Sequence, residues 1–180
     1  MSVGAGSERE VLARDLVAAA VLRGTFTLRS GELSDYYIDK YRLTTDPALL
    51  ARIVDALLPF IPPHTDRIAG TAVGAVPLST ALSLRTGLPA LIVRADIKAH
   101  GTAKGVEGYL ASGDRVVLIE DIVTSGGAAL AAAGALSEAG AHVLRVLCVV
   151  DRQQGGAEAL ADAGVRLEAL FTRSQLSLGG

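Results

Sequence analysis

A chain of 180 residues is long enough for one sizeable hydrophobic core and too short for two comfortable ones. Half of its residues are hydrophobic and 20% are charged, which excludes a disordered chain, and a formal net charge of -2 offers no electrostatic footprint for nucleic acid. The single cysteine, Cys148 in the apolar run VLRVLCVV, excludes an intrachain disulfide and suits a buried thiol in a reducing cytoplasm.

Met1 to Glu10 is polar, so no secretory leader is expected. Ser7 with Glu10 three residues later has the form of a capping box, and Val11, Leu12, Leu16, Ala19 and Ala20 keep helical spacing. This predicts a first helix over Glu8 to Arg23, stopped by Gly24. The pieces FTL and YYID, joined by RSGELSD, read as a small hairpin. Asp46 before Pro47 is an N-cap with a first-turn proline, and Leu49, Leu50, Ile53, Val54, Leu57 and Leu58 line the helix that Pro59 halts. From there strands and helices alternate: RIAG, a helix after Pro77, ALIVR, a long loop, RVVLIE, GGAALAAAGALSEAG, VLRVLCVV, GAEALADAG and VRLEALF. The longest uncharged run, Ile68 to Leu84, is broken by Gly70, Gly74 and Pro77, which argues against a membrane span. Near-continuous apolar strands separated by helices predict an α/β fold, a doubly wound parallel sheet flanked by helices.

In such sheets ligands bind beyond the carboxyl ends of the strands, beside helix amino termini. The stretch VVLIEDIVTSGGAAL, Val116 to Leu130, occupies that place. Its glycines Gly126 and Gly127 free backbone N–H groups at the positive end of a helix, the parts of a phosphate cradle, and Thr124 and Ser125 add hydroxyls. Glu120 and Asp121 carry the wrong charge for phosphate and suit sugar hydroxyls or a metal-bound ligand. A phosphorylated sugar satisfies both halves. No dinucleotide fingerprint follows a strand and no P-loop motif occurs. The preceding segment ADIKAHGTAKGVEGYL lacks helical or alternating period and reads as a long loop whose cations, with Arg94 before it and Lys98 and His100 inside it, suit an anionic leaving group.

VVLIEDIVTSGGA closely resembles the phosphoribosyl pyrophosphate (PRPP) signature of the type I phosphoribosyltransferases. The resemblance implies that Glu120 and Asp121 engage the ribose hydroxyls, while Ile122, Val123, Thr124, Ser125, Gly126, Gly127 and Ala128 form the loop that holds the 5-phosphate. VRADIKAHGTAKGVEG is similar to the catalytic loop of the orotate phosphoribosyltransferase family, with Arg94, Lys98, His100 and Gly101 matching and Ala95 standing where many members carry a lysine. GTFTLRSGELSDYYID resembles the opening segment of that family, which implies that Arg29, Tyr36 and Tyr37 enclose the base. Arg152, in DRQQGG after a strand, matches the arginine that meets the orotate carboxylate, a role suited to a bidentate guanidinium. Thr124 is also implied at orotate. GTAVGAVPLS resembles a second pyrophosphate segment, with backbone contacts from Thr71 to Gly74.

The resemblance therefore implies a single phosphoribosyltransferase domain over residues 1–180, with residues 1–45 as an N-terminal hood and 46–175 as the α/β core. The expected reaction joins orotate to the phosphoribosyl group of PRPP, giving orotidine 5'-monophosphate and pyrophosphate in pyrimidine biosynthesis. Asp121, Lys98 and His100 are the expected catalytic residues, with either Lys98 or His100 available as a proton donor. Mg2+ is implied as cofactor, held mainly by substrate and water with no protein metal cage. A cytoplasmic homodimer that shares its catalytic loop across subunits is implied, with neither membrane nor nucleic acid as partner. A purine or uracil phosphoribosyltransferase would share the 120–128 segment but need no carboxylate-binding arginine. A binding-only regulator would need a nucleic-acid element, and no helix-turn-helix segment is evident.

Overall fold

The computed structural model describes residues 5–27, 31, 33–94 and 105–178. The first helix, α1 (Ala5–Ala20), buries Leu12, Leu16 and Ala20 at four-residue intervals, one face of a helix. It begins ahead of Ser7 and ends three residues before the predicted Arg23. Val21 instead opens β1 (Val21–Thr27), which pairs antiparallel with β2 (Leu33–Ile38). Gly24 therefore does not stop a helix: at φ 153° it sits in the register shift between Arg23 and Phe26, a conformation that favours a residue without Cβ.

A short helix, α2 (Lys40–Thr45), follows, and its pattern was not legible because six residues are too few to show a period. Asp39 caps it, its side chain accepting hydrogen bonds from the N–H groups of Tyr41 (3.1 Å) and Arg42 (3.4 Å). The predicted cap of α3 (Pro47–Leu57) is present, with the Asp46 carboxylate accepting from the Leu49 N–H at 2.8 Å. Leu49, Ile53, Val54 and Leu57 are buried as the spacing predicts, and Pro59 lies in the single 3-10 turn Leu58–Phe60 that ends the segment.

The remaining elements alternate: β3 (Arg67–Thr71), α4 (Val76–Thr86), β4 (Ala90–Val93), β5 (Val106–Glu107), β6 (Arg115–Val123), α5 (Gly127–Glu138), β7 (His142–Asp151), α6 (Gly156–Asp162) and β8 (Leu167–Thr172). They build a six-stranded sheet in the order β5-β4-β3-β6-β7-β8, parallel except for β5. β5 corrects the reading of ADIKAHGTAKGVEGYL as loop throughout, since Val106 and Glu107 pair with Val93 and Ile92 at the sheet edge. Two adjacent residues carry no alternation by which to recognise a strand.

Both faces of the sheet are covered, as predicted for a doubly wound fold. On one face, Val117 and Ile119 of β6 pack with Leu16, Ile53, Leu78 and Leu82. On the other, Val116 and Leu118 pack with the small face Ala129, Ala132 and Ala133 of α5 and with Leu136. Odd and even positions of β6 thus serve different cores, the consequence of the two-residue pleat. Cys148 lies fully buried in β7, where burial pushes its thiol well above the ordinary value. No described helix is long and apolar enough to cross a membrane.

The strand order locates the site. From β3 the chain moves outward to β4 and β5, then returns to place β6 on the other side of β3 and continues through β7 and β8. The crevice where the direction reverses therefore opens beyond the carboxyl ends of β3 and β6, where the crossovers leave the strands on opposite sides.

Candidate active site

β6 carries two adjacent carboxylates into that crevice. The predicted strand RVVLIE ends at Glu120, but β6 continues to Val123, with Ile122 and Val123 still paired to Val150 and Asp151 of β7, so both acids lie within the strand. The pleat sends Glu120 to the face of Leu118 and Asp121 to the face of Ile119. Both are buried, at 5% and 4% exposure. Glu120 Oε1 and the nearby Thr71 Oγ1 have no hydrogen-bond partner among the described residues. Burial pushes the Glu120 carboxyl up from 4.5 to about 7, against the opposing influence of the Thr71 hydroxyl, while the charge of Asp121 adds to the rise.

Asp121 is held from three sides. Its Oδ1 accepts the Ile122 N–H at 2.6 Å, and its Oδ2 lies 3.2 Å from the Lys40 ammonium of α2. Gly74 closes the third side, where a Cβ would fall 1.8 Å from Oδ2. Gly74 belongs to the Thr71–Gly74 segment between β3 and α4, which also contains a cis Ala72–Val73 peptide.

The turn Thr124–Gly127 leads from β6 into α5. Gly126 is its N-cap at φ 81°, with no side-chain hydrogen bond at the cap, so the first-turn N–H groups face the end of the crevice as a ready anion site. Thr124, Ser125, Gly127 and Ala128 are exposed. The turn rests on the amino end of α6: Gly156 carries no side chain because a Cβ would lie 2.5 Å from both Thr124 O and Val123 Cγ1. This explains the second glycine in DRQQGG, a segment that sequence reasoning attached only to Arg152.

Arg152 is buried at 8% exposure rather than free in solvent. Its backbone N–H donates to Val123 O at 2.9 Å, tying it to the end of β6. Its guanidinium donates from Nη2 and Nε to the Tyr36 hydroxyl at 3.1 and 3.3 Å, and its carbon stands 4.9 Å from the centre of the Tyr36 ring. β2 thus sends Tyr36 inward to Arg152. Tyr37, the next residue on the pleat, is 44% exposed and packs on Phe26 with ring centres 5.7 Å apart, so the two tyrosines do not form one aromatic wall. Arg94 follows β4, exposed, 3.9 Å from Glu107. Arg29, Ala95, Lys98, His100 and Gly101 lie outside the described residues.

The structure therefore brings together Thr71, Gly74, Glu120, Asp121, the Thr124–Ala128 turn, Arg152 and Tyr36, and adds Lys40 and the Gly156 contact, which sequence reasoning missed. Such an arrangement suits a polyhydroxylated ligand at the acids and an anion at the α5 amino end, with a guanidinium beside the end of β6. Among the described residues no group of three or more histidine, cysteine, aspartate or glutamate side chains is arranged to hold a metal ion.

Comparison with known proteins agrees with this architecture. Residues 48–168 match the family model described as the phosphoribosyl transferase domain. An orotate phosphoribosyltransferase of Nocardioides is 44% identical over 165 residues, covering 92% of both chains. One from Halobacterium salinarum is 46% identical over 167 residues, covering 90% of this chain and 95% of its own. The crystal structure of the Mycobacterium tuberculosis orotate phosphoribosyltransferase in complex with PRPP superposes with a TM-score of 0.80 at 32% identity, over 95% of this chain and 99% of that one.

Proposed function

The chain belongs to the phosphoribosyl transferase family, on the orotate phosphoribosyltransferase branch, and from that premise we propose that it joins N1 of orotate to C1 of the ribose of PRPP, releasing pyrophosphate. The observation that carries the choice of base is Arg152, a buried guanidinium fixed by Tyr36 beside the end of β6. A purine or uracil offers no carboxylate to such a group, whereas orotate does.

In this reading Glu120 and Asp121 accept the ribose hydroxyls, and Ile122 to Ala128 wrap the 5-phosphate with the N–H groups of α5. Arg94, Lys98 and His100 neutralise the departing pyrophosphate, with Lys98 or His100 as proton donor. Arg152, Arg29, Tyr36 and Thr124 frame the base, and Tyr37 borders it from the outer face of β2. The orphaned oxygens of Glu120 and Asp121 fit hydroxyls or metal-bound water better than direct capture of Mg2+, which favours few protein carboxylates. When bound with substrate, Mg2+ would supply positive charge that offsets the charge of the departing pyrophosphate. The chain's own contribution is to orient the sugar, exclude water and stabilise charge where it develops.

Residues 1–180 form one catalytic domain in this reading, with residues 1–45 as hood over the base and 46–175 as core. We place the enzyme in the cytoplasm as a homodimer in which the Lys98–His100 segment serves the neighbouring site. The test is loss of orotate absorbance in a mixture of protein, Mg2+, orotate and PRPP. Arg152→Ala lowers kcat/KM for orotate by roughly 30-fold to 1,000-fold, since it removes a charged partner of a buried carboxylate. Turnover of adenine, hypoxanthine or uracil with none of orotate, or orotate turnover undiminished in Arg152→Ala, overturns the assignment.

A further inference from the structure

We propose that Lys40 is a positioning residue for the phosphoribosyl donor: from α2 it holds the Asp121 carboxylate in the orientation that meets the ribose, so docking of the N-terminal hood completes the ribose site. The inference deepens the reading above and rests on Asp121 contacting the sugar.

Three observations carry it. Asp121 is 4% exposed, and a carboxylate buried to that degree needs a counter-charge. Its two oxygens are divided, with Oδ1 taken by the Ile122 N–H and Oδ2 3.2 Å from Lys40 Nζ with no other hydrogen-bond partner among the described residues. Gly74 then shapes the slot in which the pair sits, for a Cβ there would lie 1.8 Å from Asp121 Oδ2 and 3.0 Å from Lys40 Nζ. Three separate parts of the chain, α2, the β3–α4 segment and β6, thus converge on one carboxylate oxygen.

Lys40 is well placed for the task. It is the first residue of α2, whose amino end Asp39 caps and whose Leu43 and Thr44 are buried, so its backbone is anchored while its side chain remains 38% exposed. A pair with one partner so exposed adds little to global stability. Its consequence is orientational. Without the ammonium, Asp121 Oδ2 loses the only cation near it in the described structure and the carboxylate is free to turn from the crevice.

The experiment measures KM for PRPP and for orotate, with Mg2+ present, together with the melting temperature. Lys40→Met keeps most of the stem and removes the charge. PRPP KM is expected to rise roughly tenfold, the scale of losing one contact to a charged group, with orotate KM and melting temperature nearly unchanged. Lys40→Arg restores most of the loss. Gly74→Ala, which retains the Lys40 charge while its Cβ displaces the carboxylate and crowds the ammonium, reproduces the PRPP defect. Asp121→Asn serves as the control. If it leaves PRPP KM unchanged, the ribose assignment itself is wrong. If it raises PRPP KM while folded Lys40→Met does not, the role of Lys40 is refuted. Loss of folding in Lys40→Met, or equal losses toward both substrates, assigns Lys40 to the stability of the hood and overturns the inference as well.

Discussion

Glu120→Gln tests whether the acidic pair is a strained feature of the free enzyme. The Glu120 carboxyl binds its proton with a value of about 7 in the fold against 4.5 ordinarily, chiefly because burial disfavours the charge. A carboxyl raised in this way favours the folded state while protonated, so its contribution is complete below pH 4.5 and lost as pH rises through about 7. Each tenfold in proton affinity is worth about 1.4 kcal/mol, so the loss amounts to about 3 kcal/mol for a group this deeply buried. Urea unfolding of the ligand-free protein between about pH 5 and about pH 8.5 reads it directly. Relative to Glu120→Gln, which mimics the protonated acid, the wild type is expected to lie within about 1 kcal/mol at the acid end and to fall behind by about 3 kcal/mol at the alkaline end. Asp66, which Arg115 holds near 2, and Asp114, which Arg67 holds low, titrate below this window and cancel in the difference. Parallel stability curves for the two proteins would show that the Glu120 charge is accommodated without cost, and the reasoning would fail.

Two further substitutions probe the supports of the site. Tyr36→Phe keeps the ring over Arg152 but deletes the hydroxyl that accepts from its guanidinium, so orotate KM rises about fivefold to tenfold while PRPP KM stays, as separate substrate titrations would reveal. Gly156→Ala forces a Cβ against Thr124 O and Val123 Cγ1, which costs about 1–3 kcal/mol in urea unfolding and weakens PRPP binding measured by calorimetry; unchanged stability would mean that the turn yields freely.

The local signals that survived into the structure were those with a strong mechanism. Asp46–Pro47 caps α3 as read, because a carboxylate acceptor and a proline of fixed φ both favour a helix start. The apolar runs of β3, β6 and β7 became central parallel strands because buried strands need no polar face. The first helix failed at its end for the opposite reason. VLRGTFT has no strong helical period, and pairing with β2, a partner distant from any local window, decided its fate. At the site, Glu120, Asp121 and the TSGG turn were legible because charge and glycine are conspicuous between an apolar strand and an alanine-rich helix. Lys40, the packing of Gly74 on Asp121 and that of Gly156 on the turn were not, since each acts by a close approach from another element. A lysine between an aspartate and a tyrosine, or a glycine before a helix, carries no local mark of the carboxylate or carbonyl it will face.

The same geometry explains why two adjacent acids serve better here than one. Neighbouring side chains on a strand leave opposite faces, so Glu120 and Asp121 reach into the crevice from either side of β6. Their environments differ accordingly. Asp121 has a lysine and a backbone N–H, whereas Glu120 lies beside an unpartnered hydroxyl and sits near half protonation at neutral pH. A carboxyl in that state both donates and accepts hydrogen bonds, while a paired carboxylate only accepts. The strand therefore presents two chemically different acids at one crevice. A ligand that satisfies the unpartnered Glu120 oxygen removes a desolvation cost already carried by the fold, which directs binding free energy toward this end of the crevice.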